Sequence, residues 1–224
     1  MSEAYDCEHE EELAKLFGEA ATLLSGASSP ELVIRFYDTL KDFFSNTNCW
    51  REWIQFTVVP NMQDYKIAPA HGGRIIRLLG AIDQNRVPQN AVMGEIGTVT
   101  FLYPYTTVQP MWANVVKTVT RAFKDGKPFP PYIPDWVLPS YSTGLLDGLV
   151  GRMMVEPGQS YSNVAAGTYH LARYGVTVSL ARTEAMRANT VGAQAWAYPQ
   201  SFRTFGQRGG VSTFNINPSP QTAR

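Results

Sequence analysis

Along residues 10 to 24, Leu13, Leu16, Phe17, Ala20, Leu23 and Leu24 recur at the spacing that gathers side chains on one face of an α-helix. Glutamates crowd the start of this stretch, where a helix dipole favours negative charge. Gly26, Ser28, Ser29 and Pro30 interrupt the pattern, and Ser29-Pro30-Glu31 reads as a cap followed by proline at the first helical position. A second stripe follows in Leu32, Val33, Phe36, Tyr37, Leu40, Phe43 and Phe44 and stops at Asn46, Thr47 and Asn48. The spacing predicts an antiparallel helix pair joined by a short loop.

At Trp50 the period changes to two. Trp53, Ile54, Phe56, Val58 and Val59 are aromatic or β-branched and end at Pro60-Asn61, as a strand does. Further strands are expected at 64–68, 74–82, 86–93, 96–103 and 112–123, separated by clusters of glycine, proline, aspartate and asparagine. Several short strands at this spacing predict a small antiparallel β-sandwich or barrel. Pro128, Pro130 and Pro131 then stiffen an extended connector.

Helical spacing returns with Trp136, Tyr141, Leu145, Leu149, Met153 and Met154. Gly144, Gly148 and Gly151 weaken this helix by about 1 kcal/mol each relative to alanine, and they let another backbone come close. Pro157-Gly158 ends it, and Ser160 or Ser162 caps the next helix. That helix, residues 163–188, is the longest expected, with Val164, Leu171, Tyr174, Val178, Ala181, Ala185 and Met186 as its apolar stripe. The fold class is therefore α+β. One helical domain is made of residues 1–49 and 134–189, with an inserted β domain at 50–124, a connector at 125–133 and an extended tail at 190–224.

Composition changes this picture little. The 224 residues support one sizeable core with an insertion. Charged residues make up 17%, below the usual quarter, which suits either surface held against partners or a polar, uncharged monomer surface. The zero net charge gives no field toward nucleic acid or anionic membrane, yet the ends differ. Glu3, Asp6, Glu8, Glu10, Glu11 and Glu12 precede the first lysine, whereas Arg187, Arg203, Arg208 and Arg224 follow the last acid, Glu184. No apolar run reaches membrane-spanning length and the acidic start is unlike a signal peptide, so a cytosolic protein is expected, with Cys7 and Cys49 as free thiols.

Catalytic chemistry finds little purchase. His9, His71 and His170 stand far apart without carboxylates or cysteines at ligand spacing, so neither metal nor cofactor is expected. His71-Gly72-Gly73 is similar to an esterase oxyanion loop, but no G-x-S-x-G accompanies it, and a glycine hairpin turn explains it better. Phosphate-binding glycine loops are absent, and Gly206-Gln207-Arg208-Gly209-Gly210 is a single arginine-glycine unit where single-strand binders use repeats. Arg173, Arg182 and Arg187 on the last helix read as a solvated face, unless ring symmetry replicates them along a channel, where they would be candidates for DNA-channel lining. The expectation is a protein that is not an enzyme.

Several runs, in order, resemble the head-to-tail adaptor (connector) proteins of tailed bacteriophages. They are Pro134-Asp135-Trp136, Tyr141 to Gly148, Gly151-Arg152-Met153-Met154, Pro157 to Asn163, Tyr169-His170-Leu171, then Arg182, Glu184, Arg187-Ala188-Asn189 and Gln194 to Pro199. Cys49 to Trp53, Pro60 and Asp64-Tyr65 extend the likeness upstream, to roughly residues 30–205. The order of helices, β insertion, helical hairpin and tail is also that of tubular tail protein A of short-tailed phages. The resemblance implies a structural virion protein at the head-tail junction, assembled in host cytoplasm. It implies a homo-oligomeric ring, commonly of twelve subunits, between the portal protein and a tail or nozzle protein, with transient non-specific contact with phage DNA and no membrane. Other readings are a stopper or tail-completion protein, a β-domain carbohydrate- or peptide-binding module with helical flanks, and a hydrolase.

The tail has no period, but it carries Trp196, Tyr198, Phe202, Phe205, Phe214 and Ile216 as apolar anchors and Arg203 and Arg208 between them. Such a segment cannot build its own core, so these eight residues are expected to bind the portal ring. The aromatic groups would supply affinity and the arginines register.

Overall fold

A computed structural model describes residues 7–69, 72–95, 97–124, 127–129 and 132–188, and these form four α-helices and antiparallel sheets, an α+β fold. Helices α1 (Cys7–Leu23) and α2 (Ser29–Thr47) precede the strands, and α3 (Val137–Val155) and α4 (Val164–Ala188) follow them. Two caps differ from expectation. Ser28, extended at φ −81 and ψ 147, is the N-cap of α2, so this helix begins one residue earlier than a Ser29 cap would place it. For α4 the cap is Asn163, whose Oδ1 accepts the Ala166 N–H at 3.1 Å. The two serines bond elsewhere: Ser160 Oγ donates to the Ser25 carbonyl at 2.9 Å, and Ser162 Oγ donates to the Glu156 carbonyl.

Helix α3 packs against α1, α2 and α4, and from Gly144 to Met154 it is buried on nearly every side, with Asp147 the one acid there, so it is buried instead of striped. Leu138, Leu145, Leu149, Val150 and Met153 fill a core with Leu16, Leu24, Phe36, Leu40, Phe43 and Phe44. Trp136, expected in the stripe, sits just before the helix and is largely exposed. Glycines decide how closely α3 is approached. A Cβ added to Gly148 would lie 2.7 Å from both Thr39 Cγ2 of α2 and Tyr174 Cδ2 of α4, and one on Gly151 would lie 2.9 Å from the Leu171 backbone nitrogen. On Gly144 it would strike the Thr177 side chain.

Nine strands lie between the helices: β1 (Arg51–Val58), β2 (Asp64–Lys66), β3 (Arg74–Asp83), β4 (Pro88–Gln89), β5 (Ala91–Met93), β6 (Thr98–Phe101), β7 (Gln109–Thr118), β8 (Ala122–Lys124) and β9 (Lys127–Phe129). One sheet has the order β1-β7-β3-β4, a second β2-β6-β5, and β8 pairs with β9. Ile54, Val58, Tyr65, Ile67, Ile75, Val99, Phe101, Met111 and Val115, drawn from the first two sheets and the chain beside them, share one core. The strand expected at 86–93 divides into β4 and β5, because the chain crosses between sheets there. The strand expected at 112–123 starts earlier and ends at Thr118. Part of the expected connector, 127–129, is β9, whose Pro128 is tolerated in a two-stranded ribbon. Gly72 and Gly73 do have positive φ, 41° and 76°, but close no hairpin, since β2 and β3 belong to different sheets. Gly73 instead admits the Trp50 ring, which an added Cβ would meet at 2.6 Å.

Trp50 is where the insertion is moored. Its ring lies in the helical core, and its carbonyl accepts the Lys117 N–H at 2.9 Å. The Lys117 ammonium, with its side chain 2% exposed, lies 2.7 Å from Glu52 Oε2 and 4.5 Å from the Trp50 ring centroid. An interior ammonium needs such partners.

Two outcomes are expected from urea unfolding of the full chain. Gly151→Val should cost about 3 kcal/mol or more, because the atom it meets is backbone, whereas Gly175→Ala, open on the outer side of α4, should be neutral or stabilising by up to about 1 kcal/mol. Equal midpoints for the two variants would refute the close-approach account. Glu52→Ala should cost roughly 3–5 kcal/mol by leaving the Lys117 ammonium without its carboxylate, and the double variant Glu52→Gln with Lys117→Met should recover most of that loss.

Candidate functional site

The inner face of α4 is held by two polar clusters. Tyr174, buried against Gly148, donates its hydroxyl to Asp42 Oδ2 of α2 at 2.9 Å and to the Thr39 carbonyl at 3.2 Å. The same Asp42 oxygen receives Arg152 of α3 at 2.8 Å. Burial first, and then the Asp42 charge, push the Tyr174 phenol well above its ordinary value, so it stays a donor. Nearby on α3, buried Asp147 takes His170 Nδ1 at 2.7 Å on one oxygen and Arg173 Nε at 3.2 Å on the other. A buried carboxylate with both oxygens engaged fixes the rotation of α4 on α3.

An aspartate orienting a histidine is also half of an acid–base site. Among the described hydrogen bonds no hydroxyl or thiol meets the His170 ring, and what the pair joins is α3 to α4. Cys49 is likewise a structural thiol: burial pushes its pKa up, and Thr47 Oγ1 donates to its sulfur at 2.9 Å. Among the described residues no group of three or more His, Cys, Asp or Glu is placed to hold a metal, and no helix is long and apolar enough to cross a membrane.

The outer face of α4 is more informative. Ala165, Tyr169, Ala172, Val176, Ser179, Leu180 and Thr183 follow one another along one side of the helix, all exposed and all uncharged. Tyr169 is 62% exposed, Val176 60% and Leu180 58%. An outward helix face normally carries charge, so this is an uncharged surface that no described residue covers. The stripe read from sequence placed Val164 and Met186 inward, but both are exposed. The available signal was the scarcity of charge between 163 and 181, where Arg173 is the only charged residue.

The three arginines proposed for a channel do not share a face. Arg173 and Arg187 lie about 40° apart around the helix, while Arg182 lies about 180° from Arg173. Arg173 is tied inward by Asp147 and rests 5.8 Å from the Tyr169 ring. The eight tail residues expected to bind the portal, Trp196, Tyr198, Phe202, Arg203, Phe205, Arg208, Phe214 and Ile216, lie outside the described residues.

A second uncharged surface lies at the far end of the β insertion. The loops at 59–63 and 102–108 are joined by the Asn61 N–H to the Tyr105 carbonyl and the Phe101 N–H to the Gln63 carbonyl, each 3.0 Å. They expose Val59, Met62, Leu102, Tyr103 and Val108 without any charged residue. The β1–β7 ladder separates this end from Trp50 by about 26 Å. A scan against protein-family models finds no match, and no curated protein matches the chain.

Proposed function

We propose that this chain is a structural virion protein, one subunit of a head-to-tail adaptor ring that joins a portal to a tail and leaves a channel for DNA. The observation that carries the reading is the outer face of α4, exposed and uncharged over about five turns, on a helix whose inner face is already fully engaged. A ring subunit needs such a lateral surface, and a solvated monomer does not.

In this reading the four helices act as a bundle, and the two sheets that share a core form a small sandwich. The bare apolar loops around Met62 and Tyr103 then meet the tail or nozzle protein. The tail residues Trp196 to Ile216 reach the portal. The ordered runs from Pro134 to Pro199 that resemble phage adaptors support the same assignment.

Truncation at Thr190 tests the assignment. The shortened chain should keep the assembled mass of the full chain yet lose attachment to a purified portal, measured by co-sedimentation or electron microscopy. Attachment as tight as that of the full chain would refute the tail's role. A full chain that never attaches to a portal would refute the adaptor reading.

A further inference from the structure

From the way side chains are sorted across one sheet we infer that the outward face of β1-β7-β3 binds single-stranded nucleic acid, with phosphates on a row of arginines and bases on two tryptophans beside it. The inference rests on the β insertion alone and does not depend on the adaptor reading.

Register decides which side chains share that face. Ile54, Ala113, Val115 and Ile75 enter the core between the sheets, so the residues that alternate with them point the other way. The charged residues of these strands divide by sign. Glu52 stands opposite Val115, Asp83 opposite Met111 and Lys117 opposite Ile75, all on the core side. Arg51 and Arg77 both stand opposite Val116, and Arg74 stands opposite Thr118, on the outward side. Three cations therefore share a face on which these strands place no acid. Among the described ion pairs none uses Arg51, Arg74 or Arg77. Arg51 donates its Nε–H to the Asn48 carbonyl at 2.7 Å, which holds that guanidinium in place.

One step along the ladder the residue types change. Trp53 stands opposite Asn114, Asn114 opposite Gly80, and Trp112 follows two residues before Asn114 on the same side of β7. Trp53 is 53% exposed, and it occupies a diagonal position to Trp112, about 7–8 Å away across the ladder. Asn114, beside both, is 8% exposed, yet its Oδ1 has no hydrogen-bond partner among the described residues. A buried acceptor left so is costly, and a donor brought from outside removes the cost. Gly80 leaves the place next to it open, since a Cβ there would meet nothing within 4 Å.

A nucleotide has the same division, an anionic phosphate at one end and a flat base with N–H donors at the other. A strand lying across the sheet sets its phosphates along Arg51 and Arg77, which two ladder spacings separate by about 10 Å. Its bases then lie toward Trp53 and Trp112, where stacking is open to any base, and a base N–H reaches Asn114 Oδ1. A duplex keeps its base faces stacked inside and offers this surface only phosphate.

The test is fluorescence anisotropy of a short labelled oligothymidylate titrated with the full chain at rising salt. Wild type should bind, more weakly as salt is added. Trp53→Ala and Trp112→Ala should each lower the affinity roughly tenfold, and Trp53→Phe should keep most of it. If Trp112→Ala loses the wild-type circular dichroism, the exposed Trp53 decides. Arg74→Gln with Arg77→Gln should weaken binding and flatten the slope of log affinity against log salt by about 0.7 for each arginine. Asn114→Leu separates a ligand group from a structural one: it should weaken binding while the urea midpoint of the free chain stays or rises, because it removes an acceptor that no described residue satisfies. Gly80→Val should fill the open place and weaken binding with the fold intact, and Tyr169→Ala, on the outer face of α4, should bind as wild type does. The inference is overturned by an oligonucleotide that does not bind at low salt or by binding that the tryptophan and arginine variants leave unchanged. It is also overturned by a DNA duplex or polygalacturonate that binds as tightly as the oligonucleotide, since the face then recognises charge alone.

Discussion

The approach of α3 to its neighbours, at distances that only a missing Cβ permits, is the constraint on which the rest of the helical part depends. Gly144, Gly148 and Gly151 bring α3 against α4, and Gly148 also receives Thr39 of α2. Dispersion contacts multiply at such spacing, which offsets the cost of placing glycine inside a helix. Close contact also brings polar groups within reach. Asp147 meets His170 and Arg173, and Asp42 meets Tyr174 and Arg152, only because the backbones are this near. These pairs add direction to a packing that apolar contact alone would leave free to slide or rotate.

With its inner face so firmly specified, α4 has no freedom to turn its other apolar side into the core. Tyr169, Val176 and Leu180 are exposed among the described residues for a geometric reason: a helix has one circumference, and α2 and α3 already occupy the side opposite. The inward rotation of α4 thus decides that its uncharged side is the exposed one among the described residues.

The β insertion depends on a different device. Two antiparallel sheets close their own core, but they join the helices where Trp50 leaves one hydrophobic cluster and begins a strand of the other. Lys117 and Glu52 neutralise each other beneath that ring, so the junction is held by a buried ion pair as well as by apolar contact.

How much of this was legible in the chain follows from the range of the forces involved. Periodicity is local, so the change from helical to strand spacing at Trp50 and back near Trp136 could be read directly, and the four helices appear where the pattern placed them, whereas the strands expected at 86–93 and 112–123 have other bounds. The small residues at 144, 148 and 151 likewise announced a close neighbour. What the sequence by itself could not determine was which neighbour. The inward and outward sides of α4 are both apolar, so periodicity placed Val164 and Met186 in the core, and only contact with α2 and α3 decided the matter. The glycines at 72 and 73 showed that positive φ was needed but not that the chain was passing beneath Trp50 between two sheets. The pairing of Asp147 with His170 and Arg173 joins residues separated by more than twenty positions, a relation carried by tertiary packing and by no local pattern.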